Sequence, residues 1–296
     1  DSLLAEARRM TENPRFKGYI HDVGGATANF RSPACDKQKD HGLCAHKKCL
    51  FPEICPSVHA DHQDYISLLR KLRNLPKVKK VFIRSGIRYD YLMADERRDF
   101  LKELVEYHVS GQLRVAPEHV SAQVLKAMGK PGIDVYENFS KAFYAATKKA
   151  GKEQYVLPYL MSSHPGSTMN SGVELALWLR KHRIRPEQVQ DFYPTPGTIS
   201  TCMYYTGLDP ITMKKIYVPR SAKEKRLQRA LLQSYRPENR ELVKTALEWA
   251  HRTDLLHGPN ALISDSGAER PMRKVSSKKT KDKTKKRRNN PPRRKF

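Results

Sequence analysis

Gln154-Tyr-Val-Leu-Pro-Tyr-Leu-Met-Ser-Ser-His-Pro-Gly-Ser-Thr168 is the stretch from which the fold can be read. Its first part, 154–161, is rich in aromatic and aliphatic residues and predicts a strand. Ser162-Ser-His-Pro-Gly166 breaks that strand. Residues 171–182 then read as a helix, and Val189–Tyr193 reads as a further strand. Strand, Gly/Pro turn, helix and strand in this order form a parallel βαβ unit with a right-handed crossover.

The same rhythm runs outward from it. Tyr19–Val23 predicts a strand before Gly24-Gly25, and Tyr65–Leu75 a helix ended by Pro76. Lys80–Ile83 and Gln112–Ala116 predict strands. Residues 95–109, 121–128 and 135–150 predict helices. Five strands with decorated loops fit an α/β barrel or partial barrel at least as well as an open sheet. No glycine-rich nucleotide fingerprint follows the first strand. Residues 1–199 form this α/β part, interrupted at 29–60 by a Cys/Pro/Lys-rich insertion. Residues 200–265 read as a helical extension, with a loop-like 204–217 and helices at 222–234 and 240–250.

Charge separates the end of the chain from the rest. Residues 266–296 hold 14 Lys/Arg against 2 Asp/Glu, about half of the net +25 of the 296-residue chain. Such a segment cannot build a core, and it predicts a disordered basic tail. It offers weak, nonspecific nucleic-acid binding through phosphates or simple solvation. It lacks the interleaved aromatics of a base-stacking surface. No apolar run approaches the roughly 18–20 residues of a membrane span. No signal peptide is visible, and the chain reads as cytoplasmic. It opens on Asp1 with a helix already under way, which predicts a piece of a longer protein.

Four of the five cysteines, Cys35, Cys44, Cys49 and Cys55, fall within 21 residues, with His41 and His46 between them. In a reducing compartment this clustering points to metal rather than disulfides. The spacings match neither a zinc ribbon nor a ferredoxin, so Zn²⁺ and an iron–sulfur cluster both stay open. The bland alternative is a proline-rich loop with packed thiols. Cys202 stands alone and reads as a small buried hydrophobe.

Ligands of parallel α/β folds sit beyond the C-terminal ends of the strands. The segments there are Asp22-Val-Gly-Gly25, Arg84-Ser-Gly-Ile-Arg88, Pro117-Glu-His119, Ser162-Ser-His-Pro-Gly166 and Pro194-Thr-Pro-Gly-Thr198. Glycine permits close backbone approach, and arginine can grip a carboxylate. Glu118 with His119 could form an acid/base pair, or be structural.

Several of these stretches together resemble one family. They are Gly18-Tyr-Ile-His-Asp-Val-Gly-Gly25 with Ala28-Asn-Phe30, the four-cysteine insertion, Val81-Phe-Ile-Arg-Ser-Gly-Ile-Arg-Tyr-Asp-Tyr91 and Val115-Ala-Pro-Glu-His-Val-Ser121. Met128-Gly-Lys-Pro131, Pro158–Thr168, Asp191–Thr198 and Cys202–Asp209 extend the likeness. Over about residues 1–263 the chain resembles the YgiQ-like radical S-adenosylmethionine (SAM) proteins and, more distantly, the radical SAM methylthiotransferases.

The resemblance implies a partial (β/α)6 radical SAM barrel, here without its first strand. It implies SAM on a [4Fe–4S] cluster, reductive cleavage to a 5′-deoxyadenosyl radical, an electron-donor protein and an unidentified substrate. In the family three cysteines spaced C-x3-C-x2-C hold the cluster. No such motif occurs in 1–296, so the resemblance places those ligands upstream and makes this piece inactive alone. Gly24 and Gly25 fall at the family's small-residue SAM motif. Arg84, Ser85, Glu118, His119 and His164 fall on the rim as SAM or substrate contacts. Cys35, Cys44, Cys49 and Cys55 could hold an auxiliary iron–sulfur or zinc site. The competing reading from charge and cysteines is a metal-stapled nucleic-acid-binding module; a third is a catalytically dead scaffold.

Overall fold

The computed structural model describes residues 1–25, 27–45 and 47–263, so the basic tail lies outside the described residues. Helix α1 (Ser2–Glu12) leads into strand β1 (Tyr19–Ile20). The insertion carries α2 (Asp36–His41), and α3 (Gln63–Arg73) returns the chain to β2 (Lys80–Val81), which pairs with β1 in parallel. Backbone bonds continue this ladder past its two-residue core: Phe82 N–H donates to Ile20 O at 2.9 Å, and Val23 N–H to Phe82 O at 2.8 Å.

Next come α4 (Tyr89–Ala94) and α5 (Asp99–Glu103), the latter continued as a π-helical turn over Leu104–His108. Strand β3 (Gln112–Glu118), α6 (Ala122–Met128), α7 (Ile133–Lys149), β4 (Tyr155–Ser162), α8 (Met169–Lys181) and β5 (Gln190–Asp191) follow. They build a second parallel sheet, ordered β3-β4-β5. The chain closes with α9 (Ile199–Thr206), α10 (Ala222–Leu232) and α11 (Arg240–Trp249). The two sheets are in contact beyond β2. A Cβ on Gly86 would stand 3.0 Å from the Arg114 carbonyl of β3, and Gly86 has φ +106°. Glycine is the residue that allows both the angle and the approach.

Apolar stripes decide which helix faces turn inward. Tyr65, Ile66, Leu68, Leu69 and Leu72 of α3 meet Phe100, Leu104, Leu113, Phe139 and Phe143 in the main core. A second cluster joins Met169 and Val173 of α8 to Leu227 and Leu231 of α10 and Val243 and Leu247 of α11. The C-terminal helices therefore pack on α8. Gly172 lets α10 come close there, since a Cβ on it would lie 3.0 Å from Leu231 Cδ1.

The observed elements depart from the expected ones where side-chain bonds intervene. The helix expected at 95–109 begins at Asp99, because Asp95 is instead tied to His62 and caps the end of α4. Arg98, at φ +55°, separates the two helices. The loop expected at 204–217 begins inside α9. Thr198 caps that helix by accepting from Thr201 N–H, and Gly207 ends it in the left-handed conformation. Among the described residues no helix is long and apolar enough to cross a membrane.

Phe139 is fully buried in the main core, against Tyr89 and Phe143. Phe139→Ala should lower unfolding stability by about 3–5 kcal/mol, read from denaturant melts. A loss under about 1 kcal/mol would mean that this core is not packed as described.

Candidate functional site

Asp22 lies just past β1 and organises the first part of the rim. Its carboxylate accepts N–H bonds from Gly24 at 2.8 Å, Arg84 at 2.9 Å and Ser85 at 3.1 Å. Partial burial pushes its pKa up, but the bonds from the Arg84, Ser85 and Gly24 backbones, with the Ser85 hydroxyl, outweigh it and hold the carboxyl below its ordinary range. One side chain thus fixes the loops after two adjacent strands. Gly24 sits inside this turn. A Cβ there would meet Asp22 Oδ1 at 2.8 Å, Ile83 Cγ2 at 3.0 Å and Ser85 Oγ at 3.0 Å. Gly25 N–H donates to Gly86 O at 3.1 Å. The structure therefore brings Gly24, Gly25, Arg84 and Ser85 together, with Arg84 and Ser85 exposed.

A second cluster forms past β3 and β4. Glu118, the last residue of β3, and Ser163, the first after β4, have φ of +65° and +62°, which is strained for non-glycine residues. Glu118 pairs with Lys130 at 3.0 Å, and Lys130 also donates to Ala116 O. His119 is buried, and its Nδ1 accepts from Val120 N–H and Ser121 N–H, both at 3.0 Å. Its proton therefore sits on Nε2. Burial, helped by neighbouring His164, drives its pKa down to about 3. His164 donates from Nδ1 to Pro165 O at 2.7 Å and accepts the Ser200 hydroxyl at Nε2, 2.8 Å away. Burial lowers its pKa too, against the opposing pull of the Pro165 carbonyl and Glu118.

Gln228 of α10 holds this turn from behind. It accepts from Ser163 N–H and Ser167 Oγ and donates to Ser167 O. The Ser163 hydroxyl is buried with no partner among the described residues. Glu118, His119 and His164 thus share one cluster, while the Gly24–Ser85 group forms another. Gly86 against β3 and Tyr89, near enough to feel the Glu118 charge, lie between them. A separate cavity lined by Lys80, Phe82, Glu106, Gly111, Lys152 and Gln154 lies at the N-terminal strand ends, away from both.

Residue types alone left Asp22, Lys130, Ser200 and Gln228 without a role. An Asp two residues before a glycine is a turn signal that points to Asp22. Nothing local marks Gln228, which reaches the site across 65 residues of chain. Cys202 is exposed on α9, so its reading as a buried hydrophobe is wrong. The reason is the Thr198 cap, which starts a helix whose one buried residue is Met203.

The insertion is anchored at both ends by a buried polar relay. Neutral His62 donates from Nδ1 to Asp95 at 2.7 Å and accepts from Asn29 at 3.1 Å. Asn29 also bonds Arg88 through both its N–H and C=O. Burial holds the His62 pKa down, against the carboxylate of Asp95. The four insertion thiols are free. Burial raises the Cys49 pKa, and Cys35, Cys55 and Cys44 each raise it further. Among the described residues no three His, Cys, Asp or Glu side chains are grouped closely enough to hold a metal.

Residues 187–295 match a family model described as a domain of unknown function, DUF3362. Over 264 residues the chain is 58% identical to a UPF0313 protein of Clostridium botulinum (strain 657 / Type Ba4), which takes in 89% of this chain and 41% of that one. It is 56% identical over 269 residues to a UPF0313 protein of Clostridium perfringens (strain 13 / Type A), at 90% and 41%. The chain spans about two fifths of the length of these curated relatives.

The buried histidines set a pH dependence. His62, His108, His119 and His164 all have folded pKa values lowered from 6.5 by burial. As pH falls below about 6.5 the unfolded chain takes up protons first, so stability declines, for His119 down to about 3. His119→Asn keeps an oxygen for the Val120 and Ser121 donors and removes the titration. It should flatten the fall in melting temperature between pH 7 and about 5; an unchanged slope would refute the assignment.

Proposed function

We propose that this chain is part of a radical SAM enzyme, contributing the SAM-holding and substrate-facing rim of a partial (β/α)6 barrel that a further segment completes. The observation that carries the reading is the side-chain-free turn at Gly24-Gly25, fixed by Asp22 and flanked by Arg84 and Ser85. The missing side chain of Gly24 lets the turn sit tight against Asp22, Ile83 and Ser85, and Gly25, whose absent Cβ would have only Ala28 nearby at 3.7 Å, leaves backbone bare for a compact zwitterion such as the amino-acid end of SAM. The parallel strand order and the motif likeness over about residues 1–263 support the same reading.

The primary cluster does not fit on this chain. No C-x3-C-x2-C lies within 1–296, and the described residues hold no group of metal ligands. Its ligands, the electron donor and the substrate therefore belong to the proposal for the whole protein. Bound to such a cluster in the whole protein, SAM would supply radical chemistry. This chain's part would be to hold and orient. Backbone atoms at Gly24 and Gly25 would hold the SAM amino group. Arg84 would face a carboxylate, and the buried His119–His164 cluster would keep water from the reacting centre.

The test begins with the reading frame ahead of Asp1 and continues with the protein it encodes, reconstituted anaerobically with iron, sulfide and a reductant. 5′-Deoxyadenosine should form. Gly24→Val should weaken SAM binding by about tenfold or more, measured by equilibrium dialysis, because its side chain would strike Asp22, Ile83 and Ser85. A frame without C-x3-C-x2-C, or no SAM binding by the reconstituted protein, would sink the reading. RNA binding that falls steeply with salt would then put the nucleic-acid module in front.

A further inference from the structure

The parallel strands bury one face and leave the other open. Ile20, Val81, Leu113, Val115 and Val156 point into the main core beneath the helices. The residues that alternate with them, among them Tyr19, Phe82, Arg114, Leu157 and Tyr159, are exposed or partly exposed. The buried sides of β1 to β4 share one core, so their open sides share one surface. Parallel strands ordinarily carry helices on both faces, or close around an interior filled by side chains. Among the described residues this face is left open.

Its composition is not that of a packed core. Arg114 stands inside β3, opposite Leu157 in the β3–β4 register. Its guanidinium makes no hydrogen bond or ion pair among the described residues. Glu118, further along the same side of β3, is already paired with Lys130 at 3.0 Å. The Gly86 backbone lies against the Arg114 carbonyl, so no side chain crowds that flank. On the other flank Leu157 and Tyr159 offer an aliphatic and an aromatic surface, and the Tyr159 hydroxyl donates to Gln190. Tyr19 and Phe82 continue the aromatic lining on β1 and β2, with rings 6.5 Å apart and within 5° of parallel. An arginine in such a place is costly to enclose without an anion.

We propose that this open face is the wall of the substrate site and that the substrate is a flat aromatic carboxylate, its carboxylate on Arg114 and its ring against Leu157 and Tyr159. The guanidinium fork matches a carboxylate bidentately. One unpaired cation balances one negative charge, which favours a carboxylate over a doubly charged phosphate. A flat ring packs on aromatic and aliphatic side chains without the ordering cost of a flexible chain. The role as substrate rests on the radical SAM reading, whereas the anion-binding surface does not. Arg84, over the Phe82 ring and tied to Asp22, stays with the SAM end in that reading.

The test is equilibrium dialysis of the protein encoded by the full reading frame, without SAM, against indole-3-acetate, the neutral indole-3-acetamide and the cationic tryptamine. Indole-3-acetate should bind about tenfold or more tighter than either of the others. Arg114→Gln should remove that preference and Arg114→Lys should keep part of it. Both should leave the melting temperature and SAM binding unchanged, because the side chain is exposed and unpaired. Equal binding of the three probes, no binding of any, a preference that survives Arg114→Gln, or displacement of indole-3-acetate by SAM would overturn the proposal. SAM binding, dialysed separately, tells the two readings apart: its loss with indole-3-acetate still held on Arg114 sinks the radical SAM reading and leaves the anion-binding surface standing.

Discussion

A parallel ladder two residues long cannot by itself hold the loops beyond it in register, and the Asp22 carboxylate takes over where β1 and β2 end. It gathers the Gly24, Arg84 and Ser85 backbone donors onto one anion. Bonds from neutral donors to a carboxylate are stronger than neutral pairs, and three of them keep the group ionised against its own partial burial. The turn at Gly24 is therefore both narrow and rigid. Tyr65 of α3 closes the same corner by donating its hydroxyl to Val23 O at 2.8 Å, which links the main core to the rim.

The β3–β4 side is built on a different principle. Its two strands end in left-handed non-glycine residues, and the strain is held by contacts from elsewhere: Lys130 on Glu118, and Gln228 on the Ser163–Ser167 turn. Packing α8 against α10 and α11 seats Gln228 where it can do this. The C-terminal helices thus shape the rim as well as covering apolar surface. The histidines there are neutral because burial denies them a proton, so His164 is free to accept the Ser200 hydroxyl.

Between these parts the insertion behaves as a separate problem in stability. It is tied at its ends by buried hydrogen bonds, and among its described residues Ala34 and Leu50 are the buried apolar side chains, while the four thiols are exposed or partly covered. Anchoring through Arg88 also connects it to the loop after β2. A change in the loop's order would therefore reach the Arg84–Arg88 segment through Asn29.

Periodicity, capping residues and Gly/Pro breaks are local, so the alternation of strands and helices was legible in the residues alone. The Gly/Pro breaks also put Gly24, Gly25, Arg84, Ser85, Glu118, His119 and His164 at or just past strand ends, which is where they lie. How these residues divide into two groups rests on contacts between distant parts of the chain. Gly24 with Ser85 depends on Asp22 reaching across 62 residues to Arg84 N–H, and His164 with Ser200 depends on a contact across 36. The helix expected at 95–109 lost its first turn to a bond between Asp95 and His62, 33 residues away. Thr198 and Gly207 bounded a helix, α9, whose last residues cover the start of the loop expected at 204–217. Local pattern fixes which residues form an element and roughly where it ends. Which polar groups meet is set by burial, because a buried donor or acceptor must find a partner wherever the chain brings one.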